Sequence, residues 1–311
     1  MKKLSVIIPL LNEEGNLEVL YQELRQVFNK LQYFNSYEII AVNDGSTDNS
    51  LNILKKLATQ DKNLKIISFV RNFGHENATS AGIKFAAGDG VVLIDADRQD
   101  PPELILDFEK EYLNGFDIVY GQRKKRLKET FFKKITSKAF YPIFKFLTKV
   151  DMPRDVGDFC LLSRKAVNIV NQLPEKCRFV RGLIYWTGLP KKAVFFIRKS
   201  REAGITKYNY SKLTIFALEN IISFSTTPIY CIIFFSMFAI AGCVIGGISV
   251  LIMKLLGFVI MTGWTSLMVS MLFLFSVTLF FLGIIGLYIG KIFQEIKQRP
   301  NFLIDEKINF E

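Results

Sequence analysis

Two carboxylates one residue apart, Asp95 and Asp97, stand where the apolar run Gly90–Ile94 opens into a polar turn. Oxygen ligands so placed suit a hard divalent cation, Mg2+ or Mn2+. Such a cation grips a diphosphate and neutralises a leaving nucleotide. Alone, an Asp-x-Asp pair is most often a turn former. Here it continues as Arg98-Gln99-Asp100-Pro101-Pro102-Glu103, and similar polar clusters follow two other apolar runs. They are Asn12-Glu13 and Asn43-Asp44-Gly45-Ser46-Thr47-Asp48. Asp48 is read as a helix cap rather than a ligand. His75, the sole histidine, is read as a hydrogen-bonding pocket residue rather than a base. The basic run Arg123–Arg126 suits phosphate.

The elements that must position these groups are legible from periodicity. Leu4–Leu10 is a continuous apolar run, as expected of a strand buried on both faces. Helical spacing follows over Gly15–Leu31, then strands at Tyr37–Val42 and Leu64–Val70 with a helix from Asp48 through Leu57 between them. A helix of small residues, Ala78–Ala87, leads to the strand Gly90–Ile94, a helix from Pro102 through Tyr112 and a strand Phe116–Tyr120. This alternation predicts an α/β fold with a mostly parallel sheet and helices on both faces. Ligands in such sheets bind beyond the carboxyl ends of the strands, where the polar clusters fall.

The C-terminal third differs. Ile229–Met253 and Leu267–Gly290 are apolar runs, each long enough to cross a hydrocarbon core of about 30 Å. Lys254 alone carries charge in the loop expected between them. The chain has 311 residues and net charge +11, of which +10 precedes Lys254. That balance favours anionic lipid or phosphate; nucleic acid is not expected, because a membrane already supplies the anionic surface. The flanking Lys and Arg predict both termini on the cytoplasmic side of a bacterial inner membrane. Between Gly121 and Val150 ten basic residues accompany one acidic residue, Glu129, with apolar positions at helical spacing. This predicts a basic interfacial helix over about 128–150, and residues 211–227 are expected to form a second amphipathic helix. The domain organisation expected is thus a catalytic domain over 1–210, the juxtamembrane helix, the hairpin over 228–290 and a cytoplasmic tail over 291–311. Met1-Lys2-Lys3 and the following apolar stretch lack a small-residue cleavage site, which favours a strand over a signal peptide. The four cysteines lack metal-ligand spacing. Small residues in Gly242–Gly247 permit homo-oligomers through close helix contacts.

Val6-Ile7-Ile8-Pro9-Leu10-Leu11-Asn12-Glu13, Asn43–Asp48, Arg71-Asn72-Phe73-Gly74-His75 and Asp95–Glu103 together resemble family-2 inverting glycosyltransferases of the GT-A (Rossmann-like) fold. The match is closest to polyprenyl-phosphate glycosyltransferases, above all bactoprenol glucosyltransferases, with dolichyl-phosphate mannose synthases more distant. It continues through Gly121-Gln122-Arg123, Asp155–Phe159, Arg178–Gly182 and Arg201–Tyr208. The resemblance implies that Pro9, Leu11, Asn12, Glu13 and Asp44 line the nucleotide pocket. Asp95 and Asp97, with Gln99, would serve a Mg2+ or Mn2+ ion and the donor diphosphate. Asp158 would be the catalytic carboxylate, and Arg123, Arg126, Arg201 and Lys207 would bind the acceptor phosphate or the diphosphate. Arg98 stands where the family usually has Leu, and Cys160 where Arg is common.

The expected activity is transfer of glucose from UDP-glucose to undecaprenyl phosphate with inversion. Mannose, an aminoarabinose derivative or N-acetylglucosamine are the alternative sugars. A lipid monophosphate is largely dianionic at neutral pH, so Asp158 is expected to position the acceptor more than to remove a proton. A processive synthase needs a channel that two spans are too few to build, and its Gln-x-x-Arg-Trp signature is absent. A non-catalytic scaffold would have no use for Asp95, Asp97 and Asp158.

Overall fold

A computed structural model describes residues 2–124, 145–153, 156–176, 178–197, 225–256 and 263–310. The chain divides into two compact units. One contains the sheet and its helices together with the segment from Gln298 onward; the other contains the apolar helices.

The first unit opens with β1 (Lys3–Leu10), α1 (Leu17–Phe28), β2 (Ser36–Asn43), α2 (Ser50–Gln60) and β3 (Leu64–Phe69). It continues with α3 (His75–Phe85), β4 (Gly90–Leu93), α4 (Leu104–Leu113) and β5 (Ile118–Arg123). After them come β6 (Val156–Ser163), α5 (Arg164–Gln172), α6 (Val180–Trp186), β7 (Lys191–Phe196) and, near the C-terminus, β8 (Ile304–Ile308). Among the described residues these strands form one sheet in the order β7-β5-β6-β4-β1-β2-β3-β8. The block β4-β1-β2-β3 is parallel. β6 runs antiparallel between β4 and β5, and β8 runs antiparallel along β3. The sheet is therefore mostly parallel and GT-A-like.

Alternation along the strands sorts the two faces. Leu4, Val6 and Ile8 of β1, Val92 of β4 with Ile94 just after it, and Phe159 and Leu161 of β6 join one core with α1, α2 and α4. Leu20, Leu24 and Phe108, all under 2 % exposed, anchor it. The opposite face receives α3, whose small residues Ala78 and Ala81 are fully buried. Odd-numbered residues of β4 and even-numbered residues of β6 point that way, which is where Asp95 and Asp158 belong.

Pro9 lies inside the sheet, where a missing N–H is usually costly. Here β4 pairs with β1 only as far as Ile7↔Leu93. Ile7 turns its carbonyl toward β4, accepting from the Ile94 N–H, so Pro9, two residues on, turns its donorless nitrogen the same way. It faces the gap beyond the paired stretch, between β1 and β4, where the strand order reverses. Ligands bind at such points.

The second unit holds α7 (Thr227–Leu255) and α8 (Trp264–Ile296). Both exceed the expected apolar runs, and α7 includes Lys254 in its last turn rather than leaving it in the connection. Large side chains such as Phe234, Phe238, Phe273 and Phe280 are more than half exposed. Ser236, Ser276 and Thr278 donate their hydroxyls to carbonyls four residues back, which satisfies them without water. Both helices are long and apolar enough to cross a membrane. α8 continues past Gly290, into the expected tail, and ends at Ile296, before Pro300. The expected interfacial helix lies mostly outside the described residues, as does nearly all of the 211–227 helix; within the former, Phe146 is 78 % exposed.

Candidate active site

Leu93 of β4 is paired with Cys160 of β6. Continuing that antiparallel register by two residues sets Asp95 opposite Asp158, both on the α3 face. α3 begins at His75, after Gly74, so its N-terminus, with its partial positive charge, supplies the third group. His75 Nε2 stands 3.4 Å from Asp158 Oδ2 and 3.7 Å from Asp95 Oδ1.

Burial pushes the Asp95 carboxyl up to about 6, the His75 cation opposing and the Asp158, Asp100 and Asp97 charges adding to it. Burial by itself would lower His75, but the contact with Asp158 and the charge of Asp95 outweigh it and raise the imidazole to about 9. Asp158 goes the other way. Its burial is overcome by Arg181 and His75, which hold it well below the usual carboxylate range.

Arg181, on the first turn of α6, supplies the strongest partner. Its Nε donates to Asp158 Oδ1 at 2.9 Å, Nη2 lies 2.8 Å from the same oxygen, and Nη1 donates to the Val156 carbonyl at 3.3 Å. Glu76 accepts the Val180 N–H at 2.8 Å and so ties the start of α6 to the start of α3; burial, then Asp158, raise its carboxyl to about 7. Sequence reasoning assigned no role to Arg181 or Glu76. Arg181 lies within the Arg178–Gly182 motif, but nothing local says what either residue pairs with, because their partners are 23 and 104 residues away.

The nucleotide-pocket candidates form a second cluster. Asn12, at φ 57°, accepts the Thr47 N–H with Oδ1 and donates its own N–H to Ser46. The Glu13 N–H bonds Ser50, and Glu13 Oε2 accepts from Asn16. Asp48 precedes the cap position Asn49 and accepts the Ser50 and Glu14 N–H groups, so it joins the two loops as well as starting α2. Leu11 follows β1 and is partly buried. Asp44 is 2 % exposed, and its two oxygens accept the Phe73 and Gly74 N–H groups at 2.7 and 2.9 Å. It thereby holds the loop that carries His75. Gly45 has φ +68°, and a Cβ there would lie 2.5 Å from the Arg71 carbonyl carbon.

The Asp97 Oδ1 accepts the Gln99 N–H at 3.2 Å. Asp97 and Gln99 are half-buried on the same loop as Asp95, but the tight cluster joins Asp95 to His75 and Asp158 instead. Arg98, at φ 56°, donates to Glu23 of α1 at 2.9 Å. Arg123 ends β5; its Nη2 lies 2.8 Å, and Asp100 Oδ2 3.8 Å, from where a Gly157 Cβ would sit. Cys160 is buried, its thiol pushed up by burial, and serves as core beside Tyr185. Arg126, Arg201 and Lys207 lie outside the described residues.

His75, Asp95 and Asp158 each offer a ligand atom, all within 4.8 Å of one another. Asp95 Oδ1 is buried and accepts no hydrogen bond. Two carboxylate oxygens with one free of donors fit a hard divalent cation.

The profile described as "Glycosyl transferase family 2" matches residues 5–169. An uncharacterized glycosyltransferase of Synechocystis sp. is 43 % identical, over 98 % of this chain and 95 % of that protein. The SfII prophage-derived bactoprenol glucosyl transferase of Shigella flexneri is 37 % identical, covering 97 % of each. Among solved structures, glucosyl-3-phosphoglycerate synthase from Mycobacterium tuberculosis, in complex with Mn2+, uridine-diphosphate and phosphoglyceric acid, superposes with TM-score 0.50 at 18 % identity, over 71 % of this chain and 76 % of that one.

Proposed function

Because this chain belongs to glycosyl transferase family 2, we propose that it transfers glucose from UDP-glucose to undecaprenyl phosphate with inversion, at the cytoplasmic face of a bacterial membrane. It is a glycosyltransferase, and its bactoprenol glucosyl transferase relatives support a polyprenyl phosphate as the acceptor class. One observation carries the finer reading: the same chain that sets Asp95, His75 and Asp158 at one sheet end also carries two helices fit for a bilayer. A water-soluble donor and a lipid-borne acceptor need that combination. β8 pairs with β3, so the strands before α7 and the strand after α8 belong to one folded unit. An even number of crossings follows if either helix spans.

In the proposed reaction an acceptor phosphate oxygen forms a bond to the anomeric carbon while the bond from that carbon to the donor diphosphate breaks. The dianionic acceptor arrives deprotonated. Asp158 is held ionised by Arg181 and His75, so its part is to fix geometry and charge beside the attacking oxygen. Asp95, with Asp97 and Gln99 on the same loop, would hold a divalent cation, which would supply charge neutralisation for the leaving diphosphate. Arg123, at the same end of the sheet, is proposed for phosphate contact.

The deciding experiment is transfer of radiolabelled sugar from a panel of nucleotide sugars to undecaprenyl phosphate by the purified protein, with and without chelator. Glucosyl lipid from UDP-glucose, lost with chelator and restored by Mg2+ or Mn2+, is the expected result. Transfer only from another donor reassigns the sugar, and no lipid product from any donor overturns the reading.

A further inference from the structure

The C-terminal segment returns to the sheet next to the loop that carries His75. β8 runs antiparallel to β3 with Phe69 opposite Ile304, and the Val70 N–H donates to the Leu303 carbonyl at 3.2 Å. One step further, Phe302 stacks on Phe69, ring centroids 5.0 Å apart and planes at 9°. Phe69 in turn meets Phe73 edge-on at 5.8 Å. Phe73 is the residue whose N–H is held by Asp44, and Asn77 donates to its carbonyl at 2.7 Å. His75 follows two residues later.

We infer that Phe302 is a positioning residue for this loop: the Phe302–Phe69–Phe73 ring series presses the Phe73–Gly74 turn onto Asp44 and so sets where α3 and His75 begin. The inference rests on the reading of His75 and Asp95 as the edge of the donor site. Phe302 stands six residues after Ile296, the end of α8. The far end of the strand is fastened independently. Asn309 donates to the Ala58 and Leu64 carbonyls, Phe310 packs edge-on against Phe85 at 5.7 Å, and Lys55 pairs with Glu306 at 2.6 Å.

The test compares full-length F302A and F302L with F310A, which loosens the same strand away from the loop. Hydrogen exchange at the Phe73 and Gly74 amides is read in each, together with the KM for UDP-glucose and kcat. Expected for F302A is about five-fold faster exchange at those two amides, the scale of one stacked aromatic pair, with a several-fold higher donor KM and a smaller change in kcat. F302L keeps apolar bulk, folds, and falls between. F310A leaves both amides and KM at the wild-type value. Unchanged amides in both Phe302 variants, or equal effects of F302A and F310A, overturn the inference. If the wild type binds no UDP-glucose the functional reading fails, while exchange at the two amides still decides the role of Phe302.

Discussion

At the scale of single residues, the site is an exercise in holding like charges together. Asp95 and Asp158 face each other across β4 and β6, and the His75 cation between them, with Arg181 behind, makes that tolerable. Asp158 consequently stays ionised through the range in which an enzyme works. The pH–rate profile should therefore rise with the acceptor phosphate's second ionisation, near 6, in wild type and Asp158→Asn alike, with kcat in the mutant lower by about 10²-fold. A limb that disappears with the mutation would instead mark Asp158 as a base. Arg181→Lys should depress kcat in the same way with little change in KM, since it loosens Asp158 without touching the donor. Glu38 shows the structural counterpart at the other end of the sheet. It is 1 % exposed, pairs with Lys3 and Lys65, and accepts from Ser5 and the Ala87 N–H. Burial opposes ionisation, but these partners win and lower its carboxyl from 4.5 to about 2. A depressed carboxylate stabilises the fold above its unfolded value and loses that contribution as pH falls through the folded one. Glu38→Gln should cost on the order of 2 kcal/mol at pH 7, and the difference in unfolding midpoint from wild type should shrink between pH 4.5 and 2.

At the scale of elements, short loops are stitched to one another rather than to the core. The Asn12–Glu14 loop bonds the Ser46–Ser50 turn, and Asp44 bonds the Phe73–Gly74 turn. Gly45 sits where these meet, in a left-handed conformation with no room for a Cβ. Gly45→Ala should cost about 1–3 kcal/mol and weaken UDP binding in calorimetry more than it lowers the melting temperature. Gly157 leaves space for Arg123; Gly157→Ala should displace that guanidinium and raise the KM for the lipid acceptor. The parallel half of the sheet was legible because its strands centre on short apolar runs. β6, β7 and β8 were not. Lys191–Phe196 begins with two lysines, and Ile304–Ile308 holds three consecutive charged residues, as edge strands do.

At the scale of the whole molecule, charge and topology agree. The basic excess belongs to the segment before the apolar helices, and β8 brings the C-terminus back to the same sheet. Reporter tags at the two ends should therefore be cleaved together by protease from inverted membrane vesicles and protected together in intact spheroplasts. Opposite protection would rule out the hairpin.

The chain's order of residues alone determined the parallel α/β core, the apolar pair of helices and the polar clusters at strand ends. Those are properties of local periodicity, and period 2, period 3.6 and long apolar runs are written in adjacent residues. The pairing of Asp95 with Asp158, the clamp of Arg181 on Asp158, and the return of Phe302 to the His75 loop were decided by tertiary structure. Each joins residues 23 to 233 positions apart, and their meeting depends on strand order and an antiparallel register that no local pattern encodes.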